Sequence, residues 1–225
     1  MNIARGFIAC LLSGLYVNAS AINVGVLTTE IQDDQFFVAK EIKNQESVAK
    51  FVTTKVIEVD NPKSMVPLST PAQVLVSPAT LLVGPNKNAN LKVYYQGEAD
   101  DKERYYQLFF IEQNMSKASH LTESTSIDAQ QKISIGTVLV VRPRKINFKY
   151  EVNGKGLLKN TGNTFIQALA IGKCSEEGKK NAILTSCSRD DFLLPGESVD
   201  FSKKMDIFEG YGLWRGMKYK YIAAE

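Results

Sequence analysis

Residues 137–148 read Thr-Val-Leu-Val-Val-Arg-Pro-Arg-Lys-Ile-Asn-Phe, an aliphatic run that breaks at Arg142-Pro143-Arg144. Val138, Leu139, Val140 and Val141 are the side chains of a buried strand. Pro143 ends the ladder, because it has no N–H to donate and biases Arg142 toward extended geometry. A fresh strand is expected over 146–152. A strand, an Arg-Pro break and a second strand near the middle of the chain define a joint between two β domains.

The rest of the chain is strand-like and punctuated by turn residues, with almost no helix signal. An edge strand is expected over 22–27, and a strand over 35–43 with Phe37, Ala39 and Glu41 on one face. Further strands are expected over 48–59 (stopped by Asp60-Asn61-Pro62), 74–76, 81–83, 91–95 and 104–112. Six or seven strands thus precede the one at 133–141, an immunoglobulin-like number. Between 113 and 130 the chain is polar and aperiodic, the composition of a mobile or functional loop. After Pro143 the pattern resumes: strands at 146–152 and 156–159 around Asn153-Gly154, then 165–171, 191–194, 198–202, 212–215 and 218–221. Trp214 reads as a core or interdomain anchor.

Residues 1–21 have the form of a secretory signal. Arg5 precedes an apolar run from Gly6 to Val17, and Ala19-Ser20-Ala21 matches the small-residue cleavage pattern. The run is too short to span a bilayer. Cleavage after Ala21 takes 21 residues from 225 and leaves 204, starting at Ile22, with no membrane span expected after the cut. The formal charge of +3 falls to +2 with the loss of Arg5, which gives no support to nucleic-acid binding. Cys10 leaves with the signal, so Cys174 and Cys187 remain as an even pair in an exported chain. A disulfide is the natural reading, and closing the twelve intervening residues would stabilise by about 3 kcal/mol in the chain-entropy model. Half of a metal site is the rival reading, but the one histidine, His120, lies far off in sequence.

No enzyme constellation is present. A single histidine excludes a His-rich metal site, and no HExxH, GxSxG or P-loop pattern occurs. His120 falls in the polar loop, whereas a catalytic base needs a fixed position. The carboxylate pairs Asp33-Asp34, Asp100-Asp101, Glu176-Glu177 and Asp190-Asp191 all sit at turns. The expectation is a binding protein, not an enzyme, without cofactor or metal.

Several segments together resemble one family. Ser77-Pro78 with Leu81 and Leu82, Asn90-Leu91-Lys92-Val93, Asp101-Lys102-Glu103-Arg104-Tyr105-Tyr106, and Thr137 to Arg144 resemble the first domain of periplasmic pilus chaperones of the chaperone–usher pathway. Asn160-Thr161-Gly162-Asn163, the cysteine pair and Leu194-Pro195-Gly196 resemble the second. The similarity is greatest to the alternative-type chaperones of the common pilus, and it covers essentially the whole mature chain. It implies an all-β protein of two immunoglobulin-like β-sandwich domains in a boomerang arrangement: 22–142 with the donor strand, a hinge at 143–146, and 147–225. It also implies a periplasmic chaperone that lends a strand to an incomplete pilin subunit and passes it to an outer-membrane usher.

The donor residues would be Ile133, Ile135 and Thr137, which point to one side of a strand. Alternation alone leaves open whether they are offered to a partner or line the domain's own core. Glu103 and Arg142 match an interdomain charge pair of related chaperones. Better-known members anchor the subunit's terminal carboxylate with an Arg on the first strand and a Lys on the donor strand. Here the first strand has no basic residue, and the donor-strand position falls on Val138. Lys40 is the candidate anchor, since Ala39-Lys40-Glu41-Ile42-Lys43-Asn44 resembles the SK-x-(I/L)-KN strand of the alternative type. Arg104, Arg144 and Lys145 are the fallbacks, and an ordinary solvated lysine is the alternative for Lys40. The rival function is an exported structural β-sandwich protein, a pilus subunit or adhesin.

Overall fold

A computed structural model describes residues 21–115, 132–153, 155–174, 184–215 and 218–224. The signal segment 1–20, His120 with most of the polar loop, and Gly154 of the expected Asn-Gly turn lie outside the described residues. Those described form fifteen strands and one 3₁₀ turn, with no α-helix among them.

The first eight strands are β1 (Thr28–Ile31), β2 (Phe37–Lys43), β3 (Lys50–Val59), β4 (Val74–Ser77), β5 (Thr80–Val83), β6 (Asn88–Tyr95), β7 (Arg104–Asn114) and β8 (Lys132–Val141). They make a five-stranded sheet in the order β1-β8-β7-β3-β5, facing a three-stranded sheet β2-β6-β4. Alternation dictates the inner faces: Tyr106, Leu108 and Phe110 of β7, Leu139 and Val141 of β8, and Leu91, Val93 and Tyr95 of β6 share one core. The remaining strands are β9 (Tyr150–Val152), β10 (Leu157–Asn160), β11 (Ile166–Cys174), β12 (Thr185–Leu193), β13 (Ser198–Asp200), β14 (Ile207–Arg215) and β15 (Lys218–Ala223). They form sheets β13-β10-β9 and β12-β11-β14-β15 around a second core that includes Leu158, Ile166, Phe201 and Tyr211. A third cluster (Val59, Tyr105, Val140 and Phe165) joins the two halves. Cys174 and Cys187 are bonded to each other across β11 and β12.

Three expectations are corrected, and one is sharpened. Residues 22–27 are not a regular strand: Asn23 makes an isolated bridge to Lys43 of β2, Gly25 takes φ +73°, and only from Thr28 does the chain pair, parallel, with β8. The segment changes sheets, and the left-handed glycine is where it turns. On β2, Phe37, Ala39 and Glu41 do share one face; it is the exposed one, and the buried face carries Lys40 and Ile42. Phe37 stacks outside on Tyr94 and lies under the Lys92 ammonium. The strand expected over 146–152 shrinks to β9, because the backbones of Asn147 and Lys149 bond to Asn163 and Thr161 instead. The strand expected over 198–202 stops at Asp200, whose carboxylate accepts from Ser202 N–H and starts the 3₁₀ turn Phe201–Lys204.

Candidate functional site

β8 carries the site because its two halves are paired differently. On one side the whole strand pairs antiparallel with β7, from Lys132↔Gln113 to Val141↔Arg104. On the other, β1 covers only Val138 to Val141, and the last bond is Val138 N–H to Leu27 C=O at 2.7 Å. Among the described residues no strand covers the outer edge of residues 132–137. Ile133 and Ile135 lie there half-buried on the face that leads into the core, and Ile135 packs against it. Thr137, on the same face, is buried, and its hydroxyl has no hydrogen-bond partner among the described residues. An open edge with apolar side chains is what proteins normally blunt. This edge carries neither proline nor a bulge, and its one charge, Lys132, stands at the tip.

Where that edge begins, the ammonium of Lys40 is buried between β2 and the start of β1. Lys40 is only 4% exposed. Its Nζ donates to Val26 C=O at 2.9 Å and Thr29 Oγ1 at 3.1 Å and lies 5.7 Å from the Phe110 ring centre. No carboxylate pairs with it among the described residues. Burial pushes its pKa below the usual lysine value. A buried cation held by neutral acceptors alone is costly and is suited to receive an anion. The solvated reading of Lys40 is therefore wrong. Val26 and Thr29 also line a cleft of about 630 Å³ between the two halves, with Phe165, Phe192 and Trp214 on its far wall. Trp214 stacks on Tyr219 at 4.7 Å and lines this cleft instead of sitting in a core.

At the other end of β8 is the joint. Arg142 is 5% exposed and gives Nη1 to Glu103 Oε2 at 2.5 Å. Its Nε and Nη2 reach both oxygens of Glu30, at 3.1 and 2.7 Å. The other Glu103 oxygen accepts from Tyr105 O–H at 2.6 Å and from Phe165 N–H, in the second half, at 2.7 Å. Burial raises the Glu103 pKa, and the Arg142 charge opposes that rise. Arg142 also lies 4.7 Å over the Phe165 ring. Asn163 adds a second clip: Nδ2 donates to Asp101 C=O at 3.0 Å and Lys145 C=O at 2.9 Å, and Oδ1 accepts from Asn147 N–H at 2.7 Å.

The fallback anchors are engaged elsewhere. Arg104 makes a two-pronged pair with Asp100 at 2.6 and 2.8 Å, which holds the Asp100 pKa at about 2. Arg144 donates to Asp33 C=O at 2.5 Å and covers Phe36; the Lys145 backbone N–H is bonded to Asp101 at 3.0 Å, and its side chain is exposed, away from the buried Lys40 site. Sequence reasoning missed Glu30. The available signal was that Glu30 is the one charged residue within 22–31.

Two immunoglobulin-like sandwiches joined by a charged clamp, with an open edge strand, have the architecture of pilus chaperones. The class 5 fimbriae chaperone CfaA superposes with a TM-score of 0.59 at 12% identity, over 91% of this chain and 99% of that one. The periplasmic chaperone SfaE does so at 0.55 and 12% identity, over 89% and 98%. The family model for the EcpB C-terminal domain matches residues 148–222. The probable fimbrial chaperone EcpB of Escherichia coli O157:H7 is 31% identical over 220 residues, 94% of this chain and 95% of that protein. The Klebsiella pneumoniae protein of the same name is 31% identical over 209 residues, 89% and 90%. The chain belongs to the EcpB family of fimbrial chaperones.

Proposed function

We propose that this chaperone acts in the periplasm, after removal of residues 1–21, by lending residues 132–137 of β8 to a pilin subunit that lacks a strand, and hands the subunit to an outer-membrane usher. The observation that carries this reading is the half-open edge of β8 ending beside the buried Lys40 ammonium. β1 pairs parallel with β8 and stops at Thr28. A subunit strand added below it in the same direction would end its chain at that point, with its terminal carboxylate beside Lys40. Ile133, Ile135 and Thr137 would then face the subunit's groove, and main-chain bonds would supply much of the affinity. Glu103, Arg142 and Glu30 would hold the two halves, 22–142 and 147–225 about the hinge 143–146, at a fixed angle. One solved structure of this fold is a chaperone–tip adhesin complex of CFA/I fimbriae biogenesis, which supports a pilin-type partner here.

The test is co-expression with candidate pilins and co-purification. The Ile133→Asp/Ile135→Asp variant is expected to fold, because both side chains are only half-buried at the strand's open end, and to lose the subunit. Capture at the parent yield by a folded double variant would overturn the strand assignment.

A further inference from the structure

At the far end of the first sandwich, a carboxylate that the chaperone reading does not use receives the backbone nitrogen of Ile22. Glu112 is on the inner face of β7 and 3% exposed. Its Oε1 accepts from Lys50 Nζ at 3.1 Å, and its Oε2 accepts from Ile22 N at 2.7 Å. Lys50, 1% exposed, also bonds Glu46 at 2.8 Å. Ile22 and Val24 are buried in the core, whereas Ala21 is exposed. The buried carboxylate therefore meets the chain one bond beyond Ala19-Ser20-Ala21, the small-residue cleavage pattern. Two independent features, a sequence motif and a buried acid, single out the same peptide bond.

We infer that export processing at Ala21–Ile22 creates a buried ion pair, the new α-ammonium of Ile22 on Glu112, that locks the chain start into the first sandwich. This rests on the cleavage proposed above. Hydrolysis consumes one water, breaks the Ala21 C–N bond and leaves a carboxylate on Ala21 and an ammonium on Ile22, the export peptidase acting as catalyst. A peptide nitrogen brings one neutral donor to Glu112; the ammonium brings a full charge and three donors. The lock has a consequence for β8. Glu112 is the register partner of Ile133, and Asn23 exchanges both backbone bonds with Lys43 of β2 at 2.9 Å. The docked start holds residues 22–24 against β2, leaving the outer edge of residues 132–137 uncovered.

The experiment uses the chaperone secreted and purified from the periplasm. Its intact mass is expected to begin at Ile22; a different start refutes the cleavage and the lock with it, while leaving the strand-lending reading to its own test. With that start established, native protein is treated with an N-hydroxysuccinimide ester. The Ile22 amine is expected to stay unmodified while exposed lysines react. Inserting one glycine between Ala21 and Ile22 moves the ammonium off Glu112. The insertion is expected to lower the melting temperature by several degrees and make the terminal amine reactive. Glu112→Gln also breaks the buried Lys50 pair and is expected to lower the melting temperature further than the insertion does, and adding the insertion to it is expected to cost little more. Rapid labelling of Ile22 in the native parent, or an insertion that leaves the melting temperature unchanged, overturns the lock. Should Glu112→Gln fail to fold, the labelling and insertion still decide.

Discussion

Replacing Arg142 with alanine removes the one cation that, among the described residues, faces Glu103, a carboxylate whose side chain is 1% exposed. Glu103 would keep two neutral donors, Tyr105 O–H and Phe165 N–H, and no charge partner. Breaking a buried pair from one side costs about 3–5 kcal/mol. The converse change is milder. Glu103→Ala leaves Arg142 with both oxygens of Glu30 and strands the two neutral donors, about 1–3 kcal/mol. Glu30 is 20% exposed, so Glu30→Ala should cost about 1 kcal/mol or less. The expected order is Arg142→Ala, then Glu103→Ala, then Glu30→Ala. The pH dependence gives a second signature. Burial already raises the Glu103 pKa, and losing Arg142 raises it further above the unfolded value of about 4.3. The cost of Arg142→Ala is then fully present above the folded pKa and fades as pH falls toward the unfolded one. Urea denaturation at pH 8 and pH 5, followed by the fluorescence of Trp214 on the cleft wall, measures both. An Arg142→Ala cost no larger than that of Glu30→Ala, or one that grows on acidification, would refute the reasoning.

Lys40→Met keeps the apolar stem but removes the ammonium. It should leave the free chaperone within about 1 kcal/mol of the parent by denaturation. Subunit binding should weaken by about 3–5 kcal/mol in titration, since a carboxylate would be buried unpaired, and unchanged affinity would remove Lys40 from the anchor role. The Asp100 carboxyl, held by Arg104, should titrate at about 2 by carbon NMR; its stabilising contribution is present above the unfolded pKa and lost as pH falls through that value, and a midpoint near 4 would contradict the pair. Gly162→Ala should lower the melting temperature sharply, because a Cβ there falls 2.7 Å from the Lys149 nitrogen and closer still to the Asn147 carbonyl; an unchanged melting curve would mean the clip can yield.

What was legible in the sequence follows from range. β3 and β6 alternate between core and outer face, and β7 and β8 join alternation at one end to a run buried on both faces (Tyr105 to Leu108, Leu139 to Val141), so their places were set by local pattern. Alternation grouped Phe37, Ala39 and Glu41 on one face of β2 but could not say which face is buried, because the decisive fact, a lysine stem among buried neighbours, depends on packing against residues outside the strand, Val26, Thr29 and Phe110. β1 begins late because residues 22–27 change sheets, a choice made by partners that no local window contains. Glu103 and Arg142 were expected from resemblance and are brought together, but Glu30 completes the clamp from 112 positions away. No periodicity links residues so separated, and only its isolation as a charge in an uncharged stretch marked it.

The two ends of β8 combine unequal energetics on one strand. At Val138 to Val141 it is paired on both sides and tied through Arg142 to the second half, so that end is already ordered. At residues 132–137 the ladder to β7 continues, so the strand proposed to be lent would arrive extended and in register, without the ordering entropy of a free peptide. Ile133 and Ile135 are half-buried before any subunit arrives. Each therefore stands to gain only part of the ~1.5–3 kcal/mol that full burial of such a side chain brings. Pockets filled by such residues would favour capture without making it irreversible. A desolvated charge such as Lys40 adds binding energy only when the subunit's terminus reaches the cleft. On this geometry, placing the chain end correctly, more than filling the groove, distinguishes a properly seated subunit from a slipped one.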